Sequence, residues 1–169
     1  LAQDEVVSDD DVSSALSLGD KGVAIVGPIP TGLPSIVWPT ERGVGLFDLP
    51  TLKDDWLRAI TPVTDCVPAD VDADGKPEII LAKEDGYVLV YSGAGELLHS
   101  RLVGEPLRAV AVVPGAQGPT IAAALPGRIA GYSADLKTER VLAEGEYRLL
   151  AAADEAGVLL AAGEGATVT

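Results

Sequence analysis

At 169 residues the chain suits one domain, and 47% hydrophobic residues with a positive mean hydropathy supply enough apolar surface for a core, which excludes disorder for most of it. A formal charge of −14 and a pI near 4.2 give the wrong field for phosphate backbones or anionic membrane surfaces, and no apolar run approaches the roughly 20 residues of a membrane span. Nucleic-acid binding and membrane insertion are therefore not expected, whereas divalent cations and basic surfaces are suitable partners.

The first 21 residues are polar and acidic, with Asp9-Asp10-Asp11, a Ser-rich stretch at Ser13 and Ser14, and one β-like patch at Glu5-Val6-Val7. They read as an arm able to complete a sheet edge. Leu1-Ala2-Gln3 resembles the tail of a small-residue signal-peptidase site, and the chain has no Met, so export to an extracellular or cell-surface location is the expectation. From Gly22 to Thr169 the texture changes to apolar runs of four to seven residues punctuated by Gly and Pro, an all-β pattern. Aromatic residues make up only 4% and glycines number 19, which suits closely spaced strands packed through small side chains. One helical turn around Trp56 is expected at most, between Pro50 and Pro62.

The runs repeat. Thr31-Gly32-Leu33-Pro34-Ser35-Ile36-Val37 lies over Asp74-Gly75-Lys76-Pro77-Glu78-Ile79-Ile80 at an offset of 43, and Gly43 to Asp48 lies over Gly86 to Tyr91 at the same offset. Gly127 to Tyr132 follows 41 residues after Gly86, and Gly165 to Val168 follows 38 after Gly127, preceded by Val158 to Ala162. Leading strands are expected at Gly22 to Val26, Leu57 to Val63, Leu107 to Val113 and Tyr147 to Ala152, and outer strands at Glu96 to Leu102 and Thr138 to Leu142. Four antiparallel strands in about 40 residues make the blade of a β-propeller. A β-sandwich also strings short strands together, but has no reason to repeat its sequence at a constant period. The predicted blades are 22–56, 57–106, 107–146 and 147–169, the last without its outer strand. Such an edge invites pairing, by the arm, a second copy or missing blades supplied in trans.

The stretch with the most chemistry is Asp70-Val71-Asp72-Ala73-Asp74-Gly75-Lys76-Pro77-Glu78, running into Ile79-Ile80-Leu81-Ala82. Alternate aspartates put three carboxylates on one side of a turn, and Gly75 permits a positive φ. An EF-hand needs a Glu at the twelfth position between helices; counting from Asp70 that residue is Leu81, in a strand-like run. Ala69 to Ala82, followed by Glu84-Asp85-Gly86-Tyr87-Val88-Leu89-Val90-Tyr91, closely resembles the FG-GAP/VCBS repeat, the calcium-binding blade of integrin alpha-chain propellers and of many secreted microbial proteins. The resemblance covers about 25 residues of one blade. It implies a Ca²⁺ ion held between the first two strands by Asp70, Asp72, Asp74, the carbonyl of Lys76, and Glu78. Ala73 stands where Gly is common and Glu78 where Asp is more usual; neither change removes an oxygen. The other units lack these ligands at the matching turns, with Ile29-Pro30-Thr31-Gly32, Gly115-Ala116-Gln117-Gly118 and Ala153-Asp154-Glu155-Ala156, of which only Asp154 and Glu155 could serve a second ion.

Other constellations are weaker. Asp85 to Tyr91 followed by Gly95-Glu96-Leu97-Leu98 is also similar to quinoprotein-type blades, which carry a Trp where this chain has His99-Ser100. His99, the single histidine, has no partner motif and is expected on an outer-strand surface. Cys66 has no CxxC or His neighbour and is expected to be a buried, inert thiol. Trp38 and Trp56 read as stitching between blades, with exposed partner contacts as the alternative. The reading is a non-enzymatic calcium-binding propeller module for protein or glycan interaction. The alternatives are an assembly subunit exchanging its N-terminal strand, as a homo-oligomer, and the propeller part of a hydrolase or quinoprotein-like enzyme.

Overall fold

The computed structural model describes residues 24–29, 33–40, 43–48, 53–153 and 158–163. The arm at 1–21, Asp154 with Glu155, the side chains of Trp38 and Trp56, and the completion of the last unit lie outside what is described. All regular structure among these residues is strand, so the all-β expectation holds. The first sheet is β1 (Ala24–Ile29), β2 (Leu33–Thr40), β3 (Gly43–Asp48) and β4 (Lys53–Arg58). The second is β5 (Val63–Ala69), β6 (Glu78–Lys83), β7 (Tyr87–Tyr91) and β8 (Leu97–Leu102). The third is β9 (Ala109–Val113), β10 (Thr120–Leu125), β11 (Arg128–Tyr132) and β12 (Glu139–Glu144), and β13 (Leu149–Ala153) pairs with β14 (Val158–Ala162). Each sheet is an antiparallel meander in chain order, the arrangement of a propeller blade.

The sheets stack face on face, which explains why β6 and β10 read as continuous apolar runs: both faces of a central strand are covered. Toward the first sheet, Ile79, Leu81, Leu89 and Cys66 pack on Val44 and Leu46. Toward the third, Ile80, Ala82, Val88 and Val90 meet Val110, Ile121, Ala123 and Tyr132. Burying one Ile or Leu side chain this way contributes about 1.5–3 kcal/mol. β13 packs on β9 and β10, continuing the series.

Polar ties cross these faces. Asp65 accepts the Val110 N–H at 2.9 Å and the Cys66 N–H at 2.9 Å, and the Thr64 hydroxyl donates to the Leu107 carbonyl at 2.9 Å. Arg101 on β8 reaches the third sheet, donating to the Leu136 carbonyl at 2.8 Å and to Glu139 at 2.6 Å, with its guanidinium over the Tyr132 ring. Leu136 occupies the left-handed region at φ +59, where the matching turn of the second sheet has Gly95 at +78. Its buried side chain and its carbonyl bond to Arg101 hold that otherwise costly conformation.

Three expectations need correction. The leading strand expected at Leu57 to Val63 is split: Trp56 and Leu57 pair with Leu46 and Gly45 as the outer strand of the first sheet, and the second sheet begins at Val63. Pro62 has no N–H for a ladder, so the chain changes sheets there. The helical turn around Trp56 is absent because β3 offers Lys53–Arg58 a ladder that outweighs local preference. The overlay of Gly43 to Asp48 on Gly86 to Tyr91 is one residue out. Val37 pairs with Leu46 while its counterpart Ile80 pairs with Val90, so Leu46 corresponds to Val90. The second sheet's hairpin between β6 and β7 is one residue longer than that between β2 and β3, and a slip of one residue would turn every side chain to the other face.

Candidate metal centre

The loop of residues 70–77 joins β5 to β6, the first two strands of the second sheet, the place that the repeat and the resemblance imply for it. Its carboxylates first organise the backbone. Asp70 accepts the Ala73 N–H at 2.7 Å and the Gly75 N–H at 3.0 Å, Asp72 accepts the Asp74 N–H at 3.0 Å, and Asp74 accepts the Lys76 N–H at 2.8 Å. Such Asx-type bonds suit a short acidic side chain followed two residues on by a turn N–H. Gly75 has φ +84 and Ala73 φ +66, so the position where glycine is common in the resembling repeats is left-handed here as well.

Glu78, at the start of β6, is only 4% exposed. Its Oε2 accepts the Val71 N–H at 2.9 Å, and Val71 itself is buried in the core between the second and third sheets. Burial pushes the Glu78 carboxyl above the usual carboxylate range, the Val71 N–H opposes that, and Asp72, Asp70 and Asp74 add to it by repulsion. A cation here would reverse the repulsive contribution.

Asp70, Asp72 and Glu78 each offer an oxygen, and these atoms lie within 4.8 Å of one another. Calcium–oxygen bonds of about 2.3–2.6 Å place opposite ligands about 4.6–5.2 Å apart, so one Ca²⁺ sphere spans the group. Magnesium, at about 2.0–2.1 Å, would require contraction. Hard oxygen donors also suit Ca²⁺ better than a transition metal. Asp74 is not in this group; its carboxylate is engaged by the Lys76 N–H and lies 3.7 Å from the Lys76 ammonium. Lys76 thus has only its main-chain carbonyl to give an ion. Sequence reasoning missed Val71, whose N–H and buried side chain fix Glu78; an apolar residue between two aspartates was the available signal.

The remaining candidates behave as surface or core. His99 is exposed, and Cys66 is buried with its thiol pushed up to about 12 by burial and then by Asp65. At the equivalent turn of the third sheet, Gly115 to Gly118 closes through a Gly118 N–H to Gly115 carbonyl bond of 3.0 Å.

No protein-family model matches the sequence, and no curated protein matches it. Solved structures do. A chain from the crystal structure of BBS1N in complex with ARL6DN superposes with TM-score 0.63 at 14% identity, over 84% of this chain and 44% of that one. The β-propeller domain of Myceliophteria thermophila Cps50 (Swd1) gives 0.61 at 15% identity, over 84% and 50%. The computationally designed Ika4 protein gives 0.56 at 17%, over 89% and 91%. The chain spans about half the length of the first two. At such identities the likeness defines the fold, and the chain is a run of β-propeller blades.

Proposed function

We propose that this chain is a non-enzymatic propeller module of FG-GAP/VCBS type, acting outside the cytoplasm, in which one Ca²⁺ braces the loop of residues 70–77 for recognition of a protein or glycan partner. The observation carrying this reading is the convergence of Asp70, Asp72 and Glu78 within 4.8 Å, with Glu78 buried and fixed by Val71. A buried carboxylate facing two others costs stability unless a cation joins them. The Lys76 carbonyl and Asp74, after a turn away from Lys76, would complete the sphere. The ion's role is structural: it ties a loop already organised by Asx bonds to the start of a central strand. Protein recognition is favoured over the glycan by the propeller surface, and among the neighbours BBS1N was solved in complex with ARL6DN.

Titration calorimetry of chelator-treated protein with CaCl₂ tests the ion. One site is expected, weakened in Asp72→Ala, with Mg²⁺ binding less tightly. Absence of heat together with an unchanged melting curve would overturn the proposal.

A further inference from the structure

The two faces of the last described sheet differ. By the pairs Leu149↔Ala162, Ala151↔Leu160 and Ala153↔Val158, these positions share one face, and Leu150, Ala152, Leu159 and Ala161 share the other. The second face turns to the third sheet, with Leu159 and Ala161 opposite Ile129 and Leu142. The first is bare: Leu149 is 68% exposed, Leu160 44% and Val158 43%. Neither β13 nor β14 contains a charged residue.

The repeat says what such a face is for. At the offset of 38, Ala122 and Ala124 correspond to Leu160 and Ala162. In the third sheet Ile121 and Ala123 pack back on the second, so Ala122 and Ala124, fully buried, are the positions by which that sheet receives the next. Ile80 and Ala82 do the same one sheet earlier. The bare face is therefore the receiving face of a blade. Its complement is the opposite face of a blade, formed in the second sheet by Ile79 and Leu81. In the first sheet, Ile36, Trp38 and Phe47 hold those register positions, alternating with Val37, Leu46 and Val44. β1 and β2 are uncharged. Among the described residues, no extensive strand packing joins the last sheet to the first.

We propose that the occupant of this face is the first sheet of a second copy, so that two chains close one ring of about eight blades through two identical head-to-tail junctions. Each junction continues the packing already made between the first and second sheets, and between the second and third. The strands at its centre, β1, β2, β13 and β14, are uncharged, whereas Asp54 shares the Phe47 register position on the outer strand; the clustered aspartates of residues 70–74 lie on another blade, so the net charge of −14 per chain is not concentrated at the junction.

Light scattering after size exclusion of the 169-residue chain, across a dilution series, should give twice the 17.3 kDa chain mass. Leu149→Glu with Leu160→Glu should give single chains that still melt cooperatively. If that variant fails to fold, hydrogen exchange of the wild type serves instead: dilution should deprotect residues 33–48 and 149–162 together. Single chains at every concentration, a ladder of higher species, or a pair indifferent to both substitutions and to dilution at these segments would overturn the proposal. The result does not depend on whether calcium binds.

Discussion

Replacing Glu78 by Gln separates what the ion needs from what the fold needs. The amide keeps the shape and leaves an oxygen for the Val71 N–H, but removes the one buried charge of the candidate site. In chelator the variant should be at least as stable as the wild type, because a carboxylate raised by burial and by three aspartates is no longer ionised against them. In calcium the order should reverse. At an ion concentration one hundred times its Kd the wild type gains about 2.7 kcal/mol, which at about 2–4 °C per kcal/mol raises the midpoint by about 5–11 °C. Loss of one carboxylate from a three-carboxylate group is expected to weaken binding about 100-fold, leaving the variant near its Kd with a gain of about 0.4 kcal/mol, or about 1–2 °C. Melting curves followed by circular dichroism, in calcium and in chelator, measure all four quantities. Equal responses to calcium in both proteins would refute the assignment of Glu78 as a ligand. A variant less stable than the wild type in chelator would show that the fold, not the ion, requires the charge.

Asp65→Ala should lower stability by about 1–3 kcal/mol, since the buried Val110 N–H loses its acceptor; an unchanged midpoint in thermal melts would contradict this. Burial holds the Asp65 carboxyl above its ordinary value, against the Val110 and Cys66 N–H bonds. The folded chain therefore takes up this proton more readily than the unfolded one, so the contribution is present below the ordinary carboxylate value and is lost as pH rises through the raised one. Asp65→Asn should flatten that part of a melting series in pH. Cys66, 8% exposed and pushed up to about 12, should resist maleimide at mildly alkaline pH and react on addition of denaturant; rapid labelling of the native protein would refute its burial. Ala73→Gly should raise stability by about 0.5–1 kcal/mol by releasing a left-handed alanine, and a lowered midpoint would count against the loop conformation.

The repeat was legible because stacked blades reuse the same constraints: glycine at the turns and apolar residues at both parities of a central strand. Junctions between blades were not. The run from Leu57 to Val63 is apolar enough to be one strand, and only the ladder to β3 and the missing N–H of Pro62 divide it. At the site, alternate aspartates announced the loop but not its distribution of roles. Asp74 is drawn to Lys76, and that depends on where the chain turns after Gly75. The burial of Glu78 could have been read from period 2. It precedes Ile80 and Ala82 by even steps, so it begins the strand face that packs on the third sheet, directly beneath Val71.

Among the described turns between first and second strands, the acidic cluster goes with the longer path. In the third sheet, residues 114–119 span the same two strands, and the turn closes through its own main chain between Gly118 and Gly115. In the second sheet, residues 70–77 are two more than that turn needs, and the longer path brings successive N–H groups inward. Asp70, Asp72 and Asp74 satisfy them. The device that orders the loop therefore creates the charge problem, because each carboxylate recruited for a backbone N–H leaves oxygen lone pairs facing its neighbours. Glu78 adds a fourth carboxylate from beneath, and it cannot swing away without giving up the Val71 N–H. A divalent ion relieves that concentration of charge with every backbone bond intact. A loop of this length without the ion would keep its turns and lose its tie to β6, so chelation should loosen residues 70–78 before it unfolds the blade.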